Sequence, residues 1–195
     1  RTILRNILFQ SEAKDKQKIQ VASHYDLGNE FYSAWLDPSM SYSCAYFKSD
    51  ADTLETAQRN KVRYILKKLC LKEGMSLLDI GCGWGYLLIE AAREYGVSGY
   101  GCTLSKEQWR KGQERIKKLG LQDRVEIDLI DYRDLDKLNR TYDRIVSVGM
   151  IEHVGRSNYG LYMSMVGHLL MNRWGTRGCA NIFSRAASCR LYVKL

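Results

Sequence analysis

The 195-residue chain contains one proline, Pro38, and no Cys-x-x-Cys pair. Scarce proline excludes collagen-like and proline-rich linker sequence, and 45% apolar with 27% charged residues excludes a disordered tail. The six cysteines (Cys44, Cys70, Cys82, Cys102, Cys179 and Cys189) are scattered along the chain. A chain this long buries a core without disulfides, so reduced thiols in a cytoplasmic setting are expected. No apolar run approaches the ~20 residues of a membrane span. The sequence shows no secretory-signal pattern and no visible internal repeat.

Charge is present but unevenly placed. The net charge is +8, enough to suggest an anionic partner. Residues 1–20 carry +3 of it, from Arg1, Arg5, Lys14, Lys16 and Lys18 against Glu12 and Asp15. Residues 171–195 carry +5 with no acid, so the body between them is neutral. The basic signal therefore belongs to the two ends.

Residues 1–20 read as a polar, weakly amphipathic helix or arm. Residues 24–49 are aromatic and turn-rich. Asp52-Thr53-Leu54-Glu55 carries a helix-start pattern, an oxygen cap three residues before Glu. Apolar Leu54, Ala57, Val62, Ile65, Leu66 and Leu69 follow at helical spacing, and Gly74 is expected to stop that helix. Strands are then expected over Ser76–Ile80, Val97–Thr103, Arg124–Leu129 and Tyr142–Val148. Helices are expected over Tyr86–Tyr95, Ser105 to about Leu119, and Ser157–Met171. Alternating strand and helix implies an α/β fold with a Rossmann-like, doubly wound parallel sheet and right-handed crossovers. Its ligand belongs beyond the carboxyl ends of the strands.

The strongest motif stands at one such end: Leu78-Asp79-Ile80-Gly81-Cys82-Gly83-Trp84-Gly85. The glycines allow a tight turn and close approach of a ligand to the backbone. Their Gly-x-Gly-x-Gly spacing misses the dinucleotide fingerprint, and Asp79 suits a cationic cofactor better than a pyrophosphate. A purely structural glycine turn is the alternative. After the second strand stands Thr103-Leu104-Ser105, with Gln108 a turn later, where a nucleoside-binding fold commonly has an acid. Hydroxyl and amide groups serve the same hydrogen bonding. After the third strand comes Asp131-Tyr132-Arg133-Asp134, either an acid and aromatic for a base or a solvated acidic turn. Glu152-His153 follows the fourth. A metal is not expected, because no second ligand lies at helical spacing. Tyr42-Ser43-Cys44-Ala45-Tyr46 is uninformative by itself, buried aromatics with an inert cysteine being the default.

Taken in order, His24-Tyr25-Asp26-Leu27-Gly28-Asn29-Glu30-Phe31-Tyr32, Leu36-Asp37-Pro38, Tyr42-Ser43-Cys44-Ala45-Tyr46-Phe47, Asp79 to Gly85, Thr103-Leu104-Ser105, Asp131 to Leu135 and Asp143 to Gly155 resemble the cyclopropane-fatty-acyl-phospholipid synthases and the related mycolic acid cyclopropane synthases. The resemblance covers roughly residues 22–170. It implies a class I methyltransferase fold using S-adenosylmethionine to add a methylene across the cis double bond of an unsaturated acyl chain in a membrane phospholipid. It further implies that Tyr42 and Ser43 touch the cofactor and that Gly81, Gly83 and Gly85 with Asp79 cradle its methionine part. Thr103 and Gln108 lie near the ribose on this reading, and Asp131 and Tyr132 near the adenine. Tyr25, beside His24, belongs to a flap. Cys44 and Glu152 match positions that help hold a bicarbonate base. The implied location is cytoplasmic, peripheral on the inner face of the membrane, with no nucleic-acid partner and with oligomerisation left open. Amine or sterol methyltransferases, or an inactive cofactor-binding fragment, are the alternatives.

The expected organisation is an arm and flap over residues 1–50, a cofactor-binding domain over 51–171 and an atypical tail over 172–195. The tail departs from the family pattern and resembles out-of-frame or vector-derived sequence. Truncation at both ends, with impaired activity, is the corresponding expectation.

Overall fold

The computed structural model describes residues 28–170. The N-terminal arm, Tyr25 of the expected flap and the atypical tail lie outside the described residues.

Every residue of β1 (Ser76–Ile80) after Ser76 is buried. Strand side chains alternate, so Leu77 enters one apolar cluster while Leu78 and Ile80 enter another. A strand covered on both faces belongs at the centre of a parallel sheet. β2 (Ser98–Thr103) pairs with one edge of β1, β4 (Arg144–Val146) with the other, and β3 (Val125–Leu129) lies outside β2. All three pairings are parallel, in the order β3-β2-β1-β4.

Among the described residues the helices are α1 (Asn29–Ser33), α2 (Leu54–Lys68), α3 (Tyr86–Tyr95), α4 (Lys106–Lys118), α5 (Ile151–Val154) and α6 (Tyr159–Leu169). Two 3-10 segments cover Tyr132–Leu138 and Arg156–Asn158. One face of the sheet packs Leu77, Ile127 and Val146 against Val62 and Leu66 of α2, Leu88 of α3 and Ile116 of α4. The other packs Leu78, Ile80 and Ile145 against Tyr162, Val166 and Leu169 of α6. Each fully buried leucine here contributes roughly 1.5–3 kcal/mol. This is the doubly wound parallel sandwich that the strand–helix alternation predicts.

Local details differ from the sequence expectation. Thr53, not Asp52, caps α2, its Oγ1 accepting from the Thr56 amide at 3.2 Å. Asp52 instead accepts from the Lys48 amide at 2.8 Å and orders the preceding turn. The helix ends before Gly74, with Cys70 turning the chain at φ +47. β4 is three residues long rather than the seven of Tyr142–Val148. Side chains bond to β1 at both ends of it. The Ser76 amide and hydroxyl donate to Asp143 at 2.9 and 3.0 Å, and the Ser147 hydroxyl donates to the Ile80 carbonyl at 3.0 Å. The expected helix from Ser157 begins as a 3-10 turn and becomes α-helical at Tyr159.

The chain runs outward from β1 to β3, then returns to the far side of β1 to form β4. A crevice opens at such a reversal, beyond the carboxyl ends of the strands.

Candidate functional site

The cleft at this reversal has an interior volume of about 130 Å³. Its floor is the turn after β1. The amides of Gly81 and Cys82 both donate to the Cys102 carbonyl, at 3.1 and 3.0 Å, which pins the turn to the end of β2. Gly81, Gly83 and Gly85 adopt φ of +81, +56 and +79, a region costly for residues with a Cβ. Their roles differ. Gly81 and Gly83 line the cleft, and a Cβ on Gly83 would meet nothing within 4 Å. Gly85 lies off the cleft wall, where a Cβ would approach Ile127 Cδ1 at 2.5 Å. The third glycine thus lets α3 pack on the sheet.

Asp79 is buried on the cleft wall, and burial pushes its carboxyl up to about 7. No ion pair neutralises it among the described residues. Thr103 and Gln108 also line the cleft and bond to each other, the Thr103 hydroxyl donating to Gln108 Oε1 at 2.7 Å. Ser105 caps α4 by accepting from the Gln108 amide at 3.2 Å, which orients this pair.

Tyr132 lies on the wall with its ring edge-on to Tyr162 at 5.2 Å. Asp131 does not line the cleft. It is buried, and both of its carboxylate oxygens accept from Arg133, Nε at 2.9 Å on one and a terminal nitrogen at 2.6 Å on the other. Asp131, expected near the adenine, is thus ion-paired with the arginine two residues on.

Tyr42 and Ser43 form the opposite wall. The default of buried aromatics over residues 42–46 does not hold: Tyr42 is 42% exposed, and Tyr46 and Cys44 are exposed. Three long-range ties hold the loop. Gln58 Nε2 donates to the carbonyls of Ser41 and Ser43 at 3.0 and 2.9 Å. Lys61 Nζ donates to the Ser43 hydroxyl at 2.7 Å. Arg115 on α4 donates to the carbonyls of Ser39 and Pro38 at 2.8 and 2.7 Å. Burial pushes the Lys61 ammonium down to about 8, with Asp37 partly opposing it.

Asn29 fastens α1 over the glycine turn. It accepts from Trp84 Nε1 at 2.7 Å and donates to the Glu107 carboxylate at 3.0 Å. Sequence reasoning assigned no role to Asn29, Lys61 or Arg115. One signal was available: Gln58 and Lys61 fall at helical spacing on the stripe of Val62 and Ile65, where apolar residues are the rule.

Of the residues that follow β4, Val148, Gly149, Met150 and His153 reach the cleft. Glu152 and Cys44 are exposed and off its wall.

A parallel sheet of this order, with a glycine turn after its central strand and the ligand cleft at the reversal, is the class I methyltransferase architecture. The chain belongs to the Mycolic acid cyclopropane synthetase family, which it matches over residues 12–184, a span running past the 171 boundary drawn above. It is 52% identical over 159 residues to the cyclopropane-fatty-acyl-phospholipid synthase of Escherichia coli K12, covering 82% of this chain and 40% of that one. A probable fatty acid methyltransferase of Pseudomonas putida is 48% identical over 158 residues, covering 78% and 40%. The crystal structure of mycolic acid cyclopropane synthase CmaA1 complexed with SAH and CTAB superposes with a TM-score of 0.75 at 39% identity, covering 80% and 53%. The chain thus spans 40% of the length of these curated relatives.

Proposed function

We propose that the chain carries the cofactor-binding part of an S-adenosylmethionine-dependent enzyme that adds a methylene across the cis double bond of unsaturated acyl chains in membrane phospholipids, forming cyclopropane fatty acids. The observation that carries the reading is the cleft. It joins an open glycine turn, a buried uncompensated carboxylate and a hydroxyl–amide pair at strand ends, in a chain half-identical to a synthase of that name.

The residues fit such a cofactor. Gly83 leaves room for close backbone approach, and Asp79 offers a negative charge to an ammonium. Thr103 and Gln108 offer hydrogen bonds to ribose hydroxyls, and the Tyr132 ring a face or edge for a base. Tyr42 and Ser43 close the opposite side, and Tyr25 is assigned to a flap. When bound, S-adenosylmethionine supplies an electrophilic methyl on a sulfonium sulfur. An alkene is a weak nucleophile, so the protein's part is to orient the partners and exclude water. Aromatic rings such as Tyr42 stabilise nearby positive charge through their faces.

A bicarbonate base held by Cys44 and Glu152 belongs to the same reading. Both side chains are exposed and neither lines the cleft, so no step is assigned to it. A peripheral position on the inner face of the membrane is supported by exposed Phe31 and Trp35, whose rings adjoin one another at 6.2 Å. Trp35 in turn adjoins the cleft-lining Tyr42 at 5.3 Å, which gives an aromatic surface of the kind that settles at lipid–water boundaries. No described helix is long and apolar enough to cross a membrane.

The test has two parts. Calorimetric titration of the full chain with S-adenosylhomocysteine should give a one-to-one isotherm, and a flat trace removes the cofactor assignment. Methyl-labelled S-adenosylmethionine with vesicles of unsaturated phospholipid should place label in ring-bearing acyl chains. Label on an added amine, with none in lipid, would overturn the substrate assignment.

A further inference from the structure

A buried carboxyl and a partly buried ammonium line the same cleft without bonding to each other. Asp79 stands on the β1 side and Lys61 on the α2 side. Burial alone moves Asp79, while Asp37 and Cys44 are the groups that oppose burial at Lys61. Among the described residues the Lys61 ammonium hydrogen-bonds to the neutral hydroxyl of Ser43 at 2.7 Å. The nearby carboxylate of Asp37 is engaged by Ser39, whose amide and hydroxyl donate to it at 3.0 and 2.9 Å.

Desolvation of this ammonium outweighs the attraction of Asp37, and taking an ammonium out of water costs several kcal/mol. Anchoring the Ser43 loop does not explain that cost, because Gln58 already holds it from the same helix with two hydrogen bonds and no charge. The arrangement is instead complementary to a ligand that bears both an ammonium and a carboxylate. An α-amino acid end has that pattern.

We infer that Lys61 binds the carboxylate at the amino-acid end of the cofactor while Asp79 binds its ammonium, so that Lys61 selects nucleosides that retain the carboxylate. This rests on the cofactor assignment above. A charge-assisted hydrogen bond in a buried site is expected to contribute about 10- to 100-fold in affinity.

Calorimetric titration of the full chain with S-adenosylhomocysteine and with decarboxylated S-adenosylhomocysteine tests it. The unmodified chain should prefer the carboxylate-bearing ligand by about 10- to 100-fold. Lys61→Met should erase that preference by weakening the first ligand alone, and Lys61→Arg should keep most of it. Equal weakening of both ligands by Lys61→Met would assign the residue to loop anchoring and overturn the inference. Equal affinity of the unmodified chain for the two ligands would overturn it without any variant. Binding of neither ligand would remove the cofactor assignment itself, and Lys61 with it.

Discussion

Gly83 and Gly85 lie two residues apart in one turn, yet alanine at the two positions should have different consequences. Both have positive φ, so either substitution costs about 1–2 kcal/mol for placing a Cβ in the left-handed region. At Gly83 the new methyl meets nothing within 4 Å, and the loss of stability should stop there. At Gly85 it meets Ile127 Cδ1 at 2.5 Å. That methyl has little freedom to retreat: Ile127 is fully buried, and a Cβ on Gly112 of α4 would come within 2.9 Å of the same atom. Overpacking of this kind adds about 1–3 kcal/mol, which brings Gly85→Ala to roughly 2–5 kcal/mol. The double variant isolates the second term. Ile127→Val deletes Cδ1 and alone costs about 0.5–1.5 kcal/mol. In the Gly85→Ala background it should cost nothing, or restore about 1 kcal/mol. Urea denaturation of the four proteins, followed by circular dichroism, measures the coupling. Simple additivity would refute the contact, and Gly83→Ala proving as destabilising as Gly85→Ala would refute the division of labour in the turn.

Two further outcomes follow from buried polar groups. Because burial raises the Asp79 carboxyl to about 7, the folded chain keeps a proton that the unfolded chain has released above about pH 4. Stability should therefore fall as pH rises from about 4 through about 7, with a contribution of up to ~1.4 kcal/mol per pH unit. Asp79→Asn should lose that contribution, and an unchanged pH profile in the variant would sink the assignment. Asn29→Leu removes the acceptor of the Trp84 N–H and should cost about 1–3 kcal/mol. Trp84→Phe, which lacks that donor, should make the Asn29 change cheaper in a double-mutant cycle by equilibrium unfolding, whereas a zero coupling energy would mean that the bond does not hold α1.

Sequence pattern sufficed where the determinants were local or periodic. The expected strand Ser76–Ile80 and helix Tyr86–Tyr95 coincide with β1 and α3, because glycines bound both and the intervening turn demands positive φ. The fourth strand was overdrawn, since its Asp143 and Ser147 bond to β1 through side chains that a propensity pattern does not register. The pairing of Asp131 with Arg133 two positions on was not read from the sequence, although proximity alone favours it. Lys61, Asn29 and Arg115 read as ordinary polar residues because their partners stand 18, 55 and 76 positions away.

The opening absences bear on the same division. In a chain with one proline, no Cys-x-x-Cys pair and no long apolar run, the alternation of strand and helix patterns indicated an α/β sandwich with a site at its strand ends. The ordered motifs were enough to indicate its family. Which glycine faces a ligand and which packs a helix, whether an acid is free or captured, and where a charge goes uncompensated were decided by tertiary structure. Those properties depend on burial and on partners contributed by distant segments, and neither exists until the sheet has assembled and α1, α2 and α4 have closed around its carboxyl edge.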